Sequence, residues 1–275
     1  MPMRMTITMK QRPHELYKPA FPAAGMNVDP KHYEPRPGLL GDRVILITGA
    51  SDGIGKALAI RTAKLGAQVI LHGRNAAKLE AVYDEIADTE SVSRPSIAVM
   101  DLATATSEEY ISLAESIDEE FGRIDGLVQN AAILGQRLSI EQYDAGEWQR
   151  VLHVNLTAPF ALMQVFLPLL KQSKDPSVIF TSSGVGREGR PYWGAYSVSK
   201  FGIEALSQIL AAENKHVPIR VNCINPGPTR TDLRLQAYPA EDRGASRAPE
   251  NVLSPYLFLL GPDSRNVSGM SLDAQ

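Results

Sequence analysis

The chain has 275 residues, of which 44% are hydrophobic and 21% charged, and its net charge is −3 with a pI of about 6.0. This size and composition are typical of a globular chain with one large α/β domain or two small ones. The charge provides no basic surface for nucleic acid or for an anionic membrane, so we expect neither as a partner. The single cysteine, Cys223, excludes an intrachain disulfide and suits a reducing compartment.

The first 40 residues differ from the rest of the chain in composition and in residue pattern. Residues 1–40 hold seven of the 19 prolines and show no period of two or of 3.6 residues. This composition predicts an N-terminal arm with little structure of its own, disordered over much of its length or docked on a partner subunit. A natural start of translation near Met26 is an alternative explanation. The segment holds no apolar run typical of a secretory signal, so we expect a cytoplasmic protein.

From residue 43 onward, short β-branched runs alternate with amphipathic stretches of helical period. Strands are predicted at 43–48, 68–73, 96–101, 126–131, 177–183, 219–227 and 269–274. Helices are predicted at 54–66, 76–88, about 106–121 behind a capping box of Thr106 and Glu109, about 144–170, around 196–200 and at about 249–260. This alternation predicts an α/β fold: a Rossmann-type, doubly wound parallel sheet of about seven strands with helices on both faces, in a single domain at 41–275.

The longest uncharged stretch, "NLTAPFALMQVFLPLL" at 155–170, lies inside one of these predicted helices. It is too short to span a bilayer and contains prolines and polar side chains, so a buried or subunit-contact helix is the better interpretation. The spacings typical of metal ligands are not evident in the chain, and we expect no metal site.

The first predicted strand runs into "TGASDGIG" at 48–55, with glycines spaced G-x-x-x-G-x-G. Such glycines allow a tight turn and bring backbone N–H groups towards a diphosphate at the N-terminus of the next helix. A plain turn is the alternative, but the position between a strand and a helix favours dinucleotide binding. The predicted contacts in this turn are Gly49, Ser51, Asp52, Gly53, Ile54 and Gly55.

The end of the second strand, "LHGRN", bears on the choice between NAD(H) and NADP(H). Gly73 stands where NAD(H)-binding folds carry an acidic residue for the ribose, and the Arg74 guanidinium can bind a 2′-phosphate through two hydrogen bonds. These residues favour NADP(H). Asp52 brings a carboxylate into the glycine turn and argues for NAD(H), which stays possible. Asp101, with Leu102 beside it, is placed to meet the adenine amino group or to cap a helix.

In "YSVSK", Tyr196 and Lys200 are four residues apart and would share one face of a helix. An ammonium beside a phenol favours the phenolate and lowers the phenol pKa from about 10, which would make Tyr196 an acid/base at neutral pH. A solvated surface pair is the alternative when the motif is taken alone. Arg187, Arg190 and Trp193 precede the motif; they can rim a substrate entrance and attract an acidic group, or serve as surface charges or subunit contacts.

Five short segments occur in order along the chain: "TGASDGIG" at 48–55, "NAA" at 130–132, "VN" at 154–155, "YSVSK" at 196–200 and "NPGPTRT" at 225–231. As a set they resemble the short-chain dehydrogenase/reductase family, from about residue 41 to the end. The stretches "TSSGVGREGRPYWGAYSVSKF", "RVNCINPGPTRT" and "GMSLDAQ" are similar to those of a bacterial subgroup, the YciK-like oxidoreductases. The chain departs from the family pattern at Ala132, where glycine is usual, and the backbone room for a cofactor is expected to be slightly reduced there.

The resemblance implies a role for each matching residue. Tyr196 is the catalytic acid/base, and Lys200 holds the nicotinamide ribose and lowers the phenol pKa. Ser183 binds the substrate oxygen, with Ser182 as a rival on the opposite face of the strand, and Asn155 holds a water that links Lys200 to solvent. The further cofactor contacts implied are Asn130, Ala131, Pro226, Gly227, Thr229 and Thr231.

We expect an NADP(H)-dependent enzyme that transfers a hydride between nicotinamide and a small-molecule carbonyl or secondary alcohol. Enoyl reduction is an alternative reaction, and a catalytically silent dinucleotide-binding regulatory or scaffold protein is an alternative class. The polar segment 233–249 is expected to choose a substrate of modest size, although Leu235 and Tyr238 could close over something apolar. The resemblance also implies a homodimer or homotetramer that uses the long helix and the helix after Tyr196 as contact surfaces.

Overall fold

The structure, a computed structural model, describes residues 28–89 and 92–275. In that part of the chain seven strands form one sheet, and every pair of neighbouring strands is parallel. The strands are β1 Val44–Thr48, β2 Gln68–Gly73, β3 Ser96–Val99, β4 Gly126–Gln129, β5 Ser177–Thr181, β6 Arg220–Asn225 and β7 Ser271–Asp273. Their order is β3-β2-β1-β4-β5-β6-β7, so the connections run outward in both directions from β1 and β4. The predicted doubly wound parallel sheet is confirmed.

Eight α-helices flank the sheet in the described residues. They are α1 Gly53–Lys64, α2 Ala76–Ala87, α3 Ser107–Phe121, α4 Ala145–Leu152, α5 Ala158–Gln172, α6 Gly194–Glu213, α7 Asp232–Ala237 and α8 Ser254–Leu260. Successive side chains of a strand point to opposite faces. Ile45 and Ile47 therefore pack with α1, α2 and α8, whereas Leu46 packs with α3, α5 and α6. The sheet has a hydrophobic core on each face, and these cores fix the loops at its carboxyl edge.

Strands β3, β4 and β5 each end two residues earlier than predicted, at the edge where the loops begin. The residues beyond them form local hydrogen bonds. The Asp101 carboxylate accepts a hydrogen bond from the Ala103 backbone N–H at 3.0 Å, and the Asn130 backbone N–H donates to the Thr48 hydroxyl at 3.0 Å. The chain leaves the ladder where polar side chains of the loops take over the backbone hydrogen bonds.

The predicted helix at 144–170 is continuous but changes its winding in the middle. Between α4 and α5 the backbone forms a π-helical segment at His153–Thr157. Pro159, in the first turn of α5, lacks the N–H that an α-helix would bond to the carbonyl of Asn155. A π-helical turn accommodates this loss by shifting the hydrogen bonds by one residue.

The combined helix Ala145–Gln172 is the one helix in the described residues that is long and apolar enough to cross a membrane, by length and composition only. The uncharged stretch at 155–170 is only part of this helix, which has 28 residues and also holds the charged side chains of α4. Leu162, Phe166 and Leu170 are nevertheless fully buried among the residues that cover one face of the sheet. Their burial identifies a core helix.

Part of the segment predicted as an arm packs on the domain. After a 3₁₀ turn at Pro30–His32, the Tyr33 hydroxyl donates to the Asp263 carboxylate at 2.6 Å, and its ring meets Phe258 edge-on at 5.3 Å. Leu40 is fully buried in the core beneath α8. Residues 1–27, which make up the rest of the predicted arm, lie outside the described residues.

Candidate active site

A cleft of about 840 Å³ opens at the carboxyl edge of the sheet, where the connections after β1 and β4 diverge. Ligands of doubly wound folds bind at this kind of switch point. The predicted site residues all line the cleft except two, Gly55 and Asn155. The fold therefore brings together side chains from loops that are far apart in the sequence.

The turn between β1 and α1 is shaped by its glycines. Gly49 and Gly53 have φ values of 68° and 53°, in a region that residues with a side chain rarely adopt. A Cβ on Gly55 would overlap the carbonyl oxygen of Gly49, so Gly55 allows the close packing of the turn on the helix, and its predicted cofactor contact stays a prediction. The turn leaves a wall with few side chains at the N-terminus of α1, which fits the diphosphate of a dinucleotide.

Beyond β2, a lysine that the sequence patterns do not single out completes the wall. The Lys78 ammonium lies 2.7 Å from the Asp52 carboxylate, and both residues line the cleft together with Gly73 and Arg74. The hydrogen bond from Lys78 lowers the pKa of Asp52. The negative charge that argued for NAD(H) is thus offset by a cation. Lys78 stands four residues after Arg74, and this spacing is the signal that could have identified it.

Asp101 lines the cleft but does not cap a helix, and its contact with an adenine stays a prediction. Its carboxylate bonds within the turn at 101–105, to the N–H of Ala103. Helix α3 is capped by the predicted capping box instead: the Thr106 hydroxyl accepts from the Glu109 N–H at 3.3 Å, and the Glu109 carboxylate accepts from the Thr106 N–H at 2.7 Å. Asp101 therefore fixes the loop after β3.

Asn130 joins the ends of three strands beneath the cleft. Its amide donates to the carbonyl of Thr48 at 3.2 Å, and its amide oxygen accepts from the Thr181 hydroxyl at 3.4 Å. The following Ala131 N–H donates to the Thr48 hydroxyl at 3.1 Å. Ala132 is not among the non-glycine residues with positive φ, so its backbone conformation does not require the glycine usual at this position.

The loop after β6 closes the cleft from the opposite side. Thr231 caps the N-terminus of α7 by accepting a hydrogen bond from the Arg234 N–H at 3.2 Å. A Cβ on Gly53 would come within 3.0 Å of the Thr231 methyl group, so the loops after β1 and β6 touch. The Thr229 hydroxyl donates to the carbonyl of Gly227 at 3.2 Å and stiffens the turn. Pro226 of the same turn also lines the cleft.

Tyr196 lies at the start of α6, buried against the cleft, and pairs with Ser183 just after β5. Burial raises the pKa of the Tyr196 phenol to about 12, and the hydrogen bond with the Ser183 hydroxyl lowers it by less. Ser182, the rival for the serine role, also lines the cleft, but its hydroxyl has no hydrogen-bond partner in the described residues. Ser183 is thus the serine that contacts the phenol.

Lys200 lies one turn further along α6 but does not lower the pKa of the Tyr196 phenol as expected. Its ammonium donates to the backbone carbonyl of Thr181 at 2.7 Å and lies 5.6 Å from the centre of the Tyr196 ring. Burial lowers the pKa of Lys200 to about 8. Desolvation outweighs the favourable interactions at both groups, so the pKa of the phenol is raised where the i, i+4 spacing predicts a lowered one.

Asn155 lies in the π-helical segment and points into the protein. Its amide nitrogen donates to the Ile133 carbonyl at 2.9 Å and to the Ser199 hydroxyl at 3.1 Å, and its amide oxygen accepts from the Ile133 N–H at 2.9 Å. Asn155 therefore ties the loop after β4 to α6. Its role in holding a water beside Lys200 stays a prediction.

Of the three residues expected at a substrate entrance, Arg187 has another role. Its guanidinium donates to the Asp273 carboxylate at 2.7 Å, to the Ser271 hydroxyl at 2.6 Å and to the Glu204 carboxylate at 3.3 Å. These bonds tie the loop after β5 to β7 and α6, so Arg187 is not free for an acidic substrate. Arg190 and Trp193 do line the cleft.

An apolar wall lies beside Tyr196, and the sequence patterns indicated only Trp193 and Tyr238 among its members. Its buried members, which pack in one cluster with Tyr196, are Leu134, Val185, Trp193 and Ala237, and Ala132, Leu233 and Tyr238 pack against them. These side chains come from the loops after β4, β5 and β6 and from the start of α6. They share no sequence period, so only the tertiary fold identifies them as neighbours.

Comparisons with known proteins agree with this geometry. A family model described as short chain dehydrogenase matches residues 43–242. An oxidoreductase of Escherichia coli (strain K12) called YciK is 47% identical over 244 residues, which are 89% of this chain and 96% of that protein. Two solved structures of short-chain dehydrogenases are also similar. One, from Pseudomonas syringae, has a TM-score of 0.87 at 48% identity and covers 88% of this chain and 98% of its own. The other, from Escherichia coli CFT073 and complexed with NADPH, has a TM-score of 0.85 at 47% identity and covers 88% and 100%.

Proposed function

The chain belongs to the short-chain dehydrogenase family, and from this we propose that it is an NADP(H)-dependent oxidoreductase in which Tyr196 exchanges a proton with a carbonyl or secondary-alcohol substrate. One observation carries the proposal: the Tyr196 phenol is buried where it lines the cleft, and Ser183 lines the same part of the cleft. A buried phenol paired with a serine at the switch point of the sheet is placed for chemistry on an oxygen atom.

The cleft residues would hold the cofactor along the carboxyl edge of the sheet. The glycine turn would bind the diphosphate at the N-terminus of α1, and Asp101 and Leu102 would flank the adenine. The family resemblance assigns the nicotinamide ribose to Lys200, and Thr231 would lie beside the nicotinamide. When bound, the cofactor supplies or accepts a hydride.

Tyr196 is suited to donate a proton. Because its pKa is raised to about 12, the phenol is protonated at neutral pH. The oxygen of a carbonyl gains a proton when the carbonyl is reduced, and a neutral phenol within reach can provide it. The Ser183 hydroxyl would polarise the same oxygen. These properties favour carbonyl reduction as the reaction at neutral pH.

Preference for NADP(H) over NAD(H) is supported by the charges beyond β2. Gly73 offers no carboxylate to the ribose hydroxyls, Arg74 can bind a phosphate, and Lys78 neutralises Asp52. The Escherichia coli relative complexed with NADPH supports the same choice.

Assembly and location are further parts of the proposal. Exposed apolar side chains on α5 and α6, including Phe160, Val198 and Phe201, favour a homodimer or homotetramer. Cys223, a buried free thiol, suits the cytoplasm. The silent scaffold is the less favoured alternative, because a protein without turnover has no need of Ser183 beside a buried phenol.

Replacing Tyr196 with Phe tests the proposal. The variant keeps the ring that packs on Trp193 but removes the proton donor, so turnover with NADPH should fall by about 10²- to 10⁴-fold. The Kd for NADPH, measured by calorimetric titration, should change by less than about threefold. Tyr192→Phe, at an exposed neighbouring tyrosine, is the matched control and should retain activity. Full turnover by Tyr196→Phe would contradict the proposal, and NADPH binding by the native protein without turnover of any carbonyl would favour the scaffold.

A further inference from the structure

We propose that the substrate is an uncharged ketone or secondary alcohol whose reacting carbon belongs to, or is attached to, an alicyclic or aromatic ring, because an aromatic and aliphatic wall lies directly beside the Tyr196 phenol. The proposal rests on the function proposed above and specifies its substrate class. It differs from the expectation that the polar segment 233–249 alone chooses the substrate.

The wall is apolar and largely preformed. Leu134, Val185, Trp193 and Ala237 are each less than 9% exposed and pack in one cluster with Tyr196, yet all of them line the cleft. A substrate oxygen that reaches the phenol must therefore bring its carbon skeleton against these side chains. Apolar groups gain free energy from such burial, whereas a polyhydroxylated skeleton would lose hydrogen bonds to water.

Two aromatic rings of the wall, together with the ring of Tyr196, shape this end of the cleft. The Trp193 ring lies 5.7 Å from the Tyr196 ring and 5.9 Å from the Tyr238 ring, tilted by 47° and 53°. The three rings thus form a curved surface instead of a parallel stack. Flat or puckered ring skeletons match such a surface better than flexible chains do, because they lose less conformational freedom on binding.

Arg137 fixes these rings from outside the cleft. Its guanidinium lies 4.3 Å from the centre of the Trp193 ring and 5.1 Å from that of Tyr238, and its Nη1 donates to the Ala237 carbonyl at 2.6 Å. Arg137 does not itself line the cleft. The cation is therefore a positioning residue that holds the loop after β4, α6 and α7 together around the wall.

Two arginines at this end of the cleft already have carboxylate partners. Arg234 bonds to Glu241 at 2.5 Å, and the exposed Arg190 lies 3.7 Å from Glu188. A substrate carboxylate would have to displace one of these partners. The longer of the two pairs, at Arg190, makes this residue the place where an anionic substrate would bind if the proposal is wrong.

A matched panel of carbonyl compounds tests the proposal with NADPH and the full chain. Cyclohexanone represents the ring ketones, dihydroxyacetone the polyhydroxy ketones and pyruvate the anionic 2-oxo acids. We expect kcat/KM for cyclohexanone to exceed that for each of the others by about tenfold or more, the gain from burying one apolar ring face. Highest kcat/KM with dihydroxyacetone or pyruvate would overturn the proposal, and loss of pyruvate turnover in Arg190→Ala would locate the anionic alternative.

Variants in the wall provide the second arm. Trp193→Ala should raise KM for cyclohexanone by about tenfold, with an unchanged Kd for NADPH, and Trp193→Phe should restore most of the affinity. Arg137→Ala should raise KM in the same way with little change in kcat. Leu235, which the sequence suggested could close over an apolar substrate, does not line the cleft although it shares a short helix with Ala237. Leu235→Ala is therefore the matched control and should leave KM unchanged. Equal KM in Trp193→Ala and Leu235→Ala would overturn the proposal.

Failure of the proposed function gives a different result. In that case none of the three carbonyl compounds is turned over although NADPH binds. Saturation-transfer NMR with the NADP⁺ complex then still decides the inference: transfer to cyclohexanone that is lost in Trp193→Ala supports it, and absence of transfer in the native protein overturns it.

Discussion

The Lys200 ammonium is held by a backbone carbonyl in a buried position, and this sets how its charge responds to pH. Burial lowers the pKa of Lys200 to about 8. Most Lys200 side chains are therefore protonated at pH 6 to 7, and the positive charge is lost as the pH rises through 8. The Tyr196 phenol stays protonated over the whole of this range, because its pKa is about 12. The two groups of one motif therefore titrate at opposite ends of the alkaline range.

We expect kcat/KM for carbonyl reduction to be constant near neutral pH and to fall with a midpoint of about 8, as Lys200 loses its proton. Initial rates with NADPH between pH 6 and 10 measure this profile. Lys200→Arg should move the falling limb to higher pH, because a guanidinium does not titrate there. If kcat/KM of Lys200→Arg falls with the same midpoint as in the native protein, the titration of another group causes the fall.

The pair of Lys78 and Asp52 leads to a prediction about cofactor choice. Lys78→Ala removes a cation and leaves the Asp52 carboxylate facing the cleft, so the Kd for NADPH should rise by about tenfold or more while that for NADH changes little. Arg74→Ala should likewise raise the Kd for NADPH while changing that for NADH little. Isothermal titration with both cofactors measures the effect, and Lys56→Ala, whose lysine pairs with Glu85 away from the cleft, is the control. Equal losses for NADPH and NADH would refute a 2′-phosphate role.

Single residues were predictable from the sequence where a motif fixes their neighbours. Tyr196 and Ser183 lie in such segments, and the structure brings both to the cleft. Arg187 was not predictable, because its carboxylate partner Asp273 lies 86 residues away in the chain. Arg137 is similar: its importance depends on rings contributed by other loops.

Among the elements, the π-helical segment shows how local geometry serves the site. The segment His153–Thr157 widens the helix at the point where Asn155 bonds to the loop after β4 and to α6. Insertions of this kind are common beside functional sites. Element type and order followed from period and alternation, but this change of winding did not, because a π-helical turn has no composition of its own.

The turn between β1 and α1 depends on the absence of a side chain at Gly55. A methyl group there would overlap Gly49, and its contact is with backbone that cannot swing away. We expect Gly55→Ala to destabilise the fold by about 1–3 kcal/mol and to weaken NADPH binding, because the turn must move. Urea unfolding and cofactor titration measure the two effects.

Gly189→Ala is the control for this substitution, because a Cβ at Gly189 would meet nothing within 4 Å. Equal stability of the two variants would mean that the turn can relax without cost. Unchanged NADPH affinity in Gly55→Ala would mean that the position of the turn does not matter for binding.

For the molecule as a whole, the amino edge of the sheet carries a network of buried and partly buried charges opposite the cleft. The Asp175 carboxylate accepts from Arg43 at 3.2 Å and from Arg220 at 3.1 Å. Arg220 is almost fully buried and also donates to the Leu259 carbonyl and the Ser264 hydroxyl, both at 2.6 Å. The network joins β1, β5 and β6 to the segment after α8.

Removing the carboxylate of the network should lower the free energy of unfolding, because a buried charge then lacks its partner. Asp175→Asn leaves Arg220 without its buried counter-charge, so we expect a loss of about 3–5 kcal/mol in the free energy of unfolding and a fall in Tm of about 10 °C. Arg265→Ala is the control: it lies 3.8 Å from the same carboxylate but is 70% exposed, and its loss should cost about 1 kcal/mol or less. Similar Tm values for both variants would contradict this account.

We expect NADPH affinity to be unchanged in both Asp175→Asn and Arg265→Ala, because the network and the cleft lie at opposite ends of the same strands. The loops that meet the ligands can therefore vary in sequence, apart from residues such as Gly55, Asn130 and Arg187 that hold them in place, while the opposite edge keeps the chain folded. A library of variants confined to the segments after β4, β5 and β6 should yield mostly folded proteins with altered selectivity. In evolutionary terms, this separation lets a lineage of proteins acquire a new substrate specificity while its members still fold.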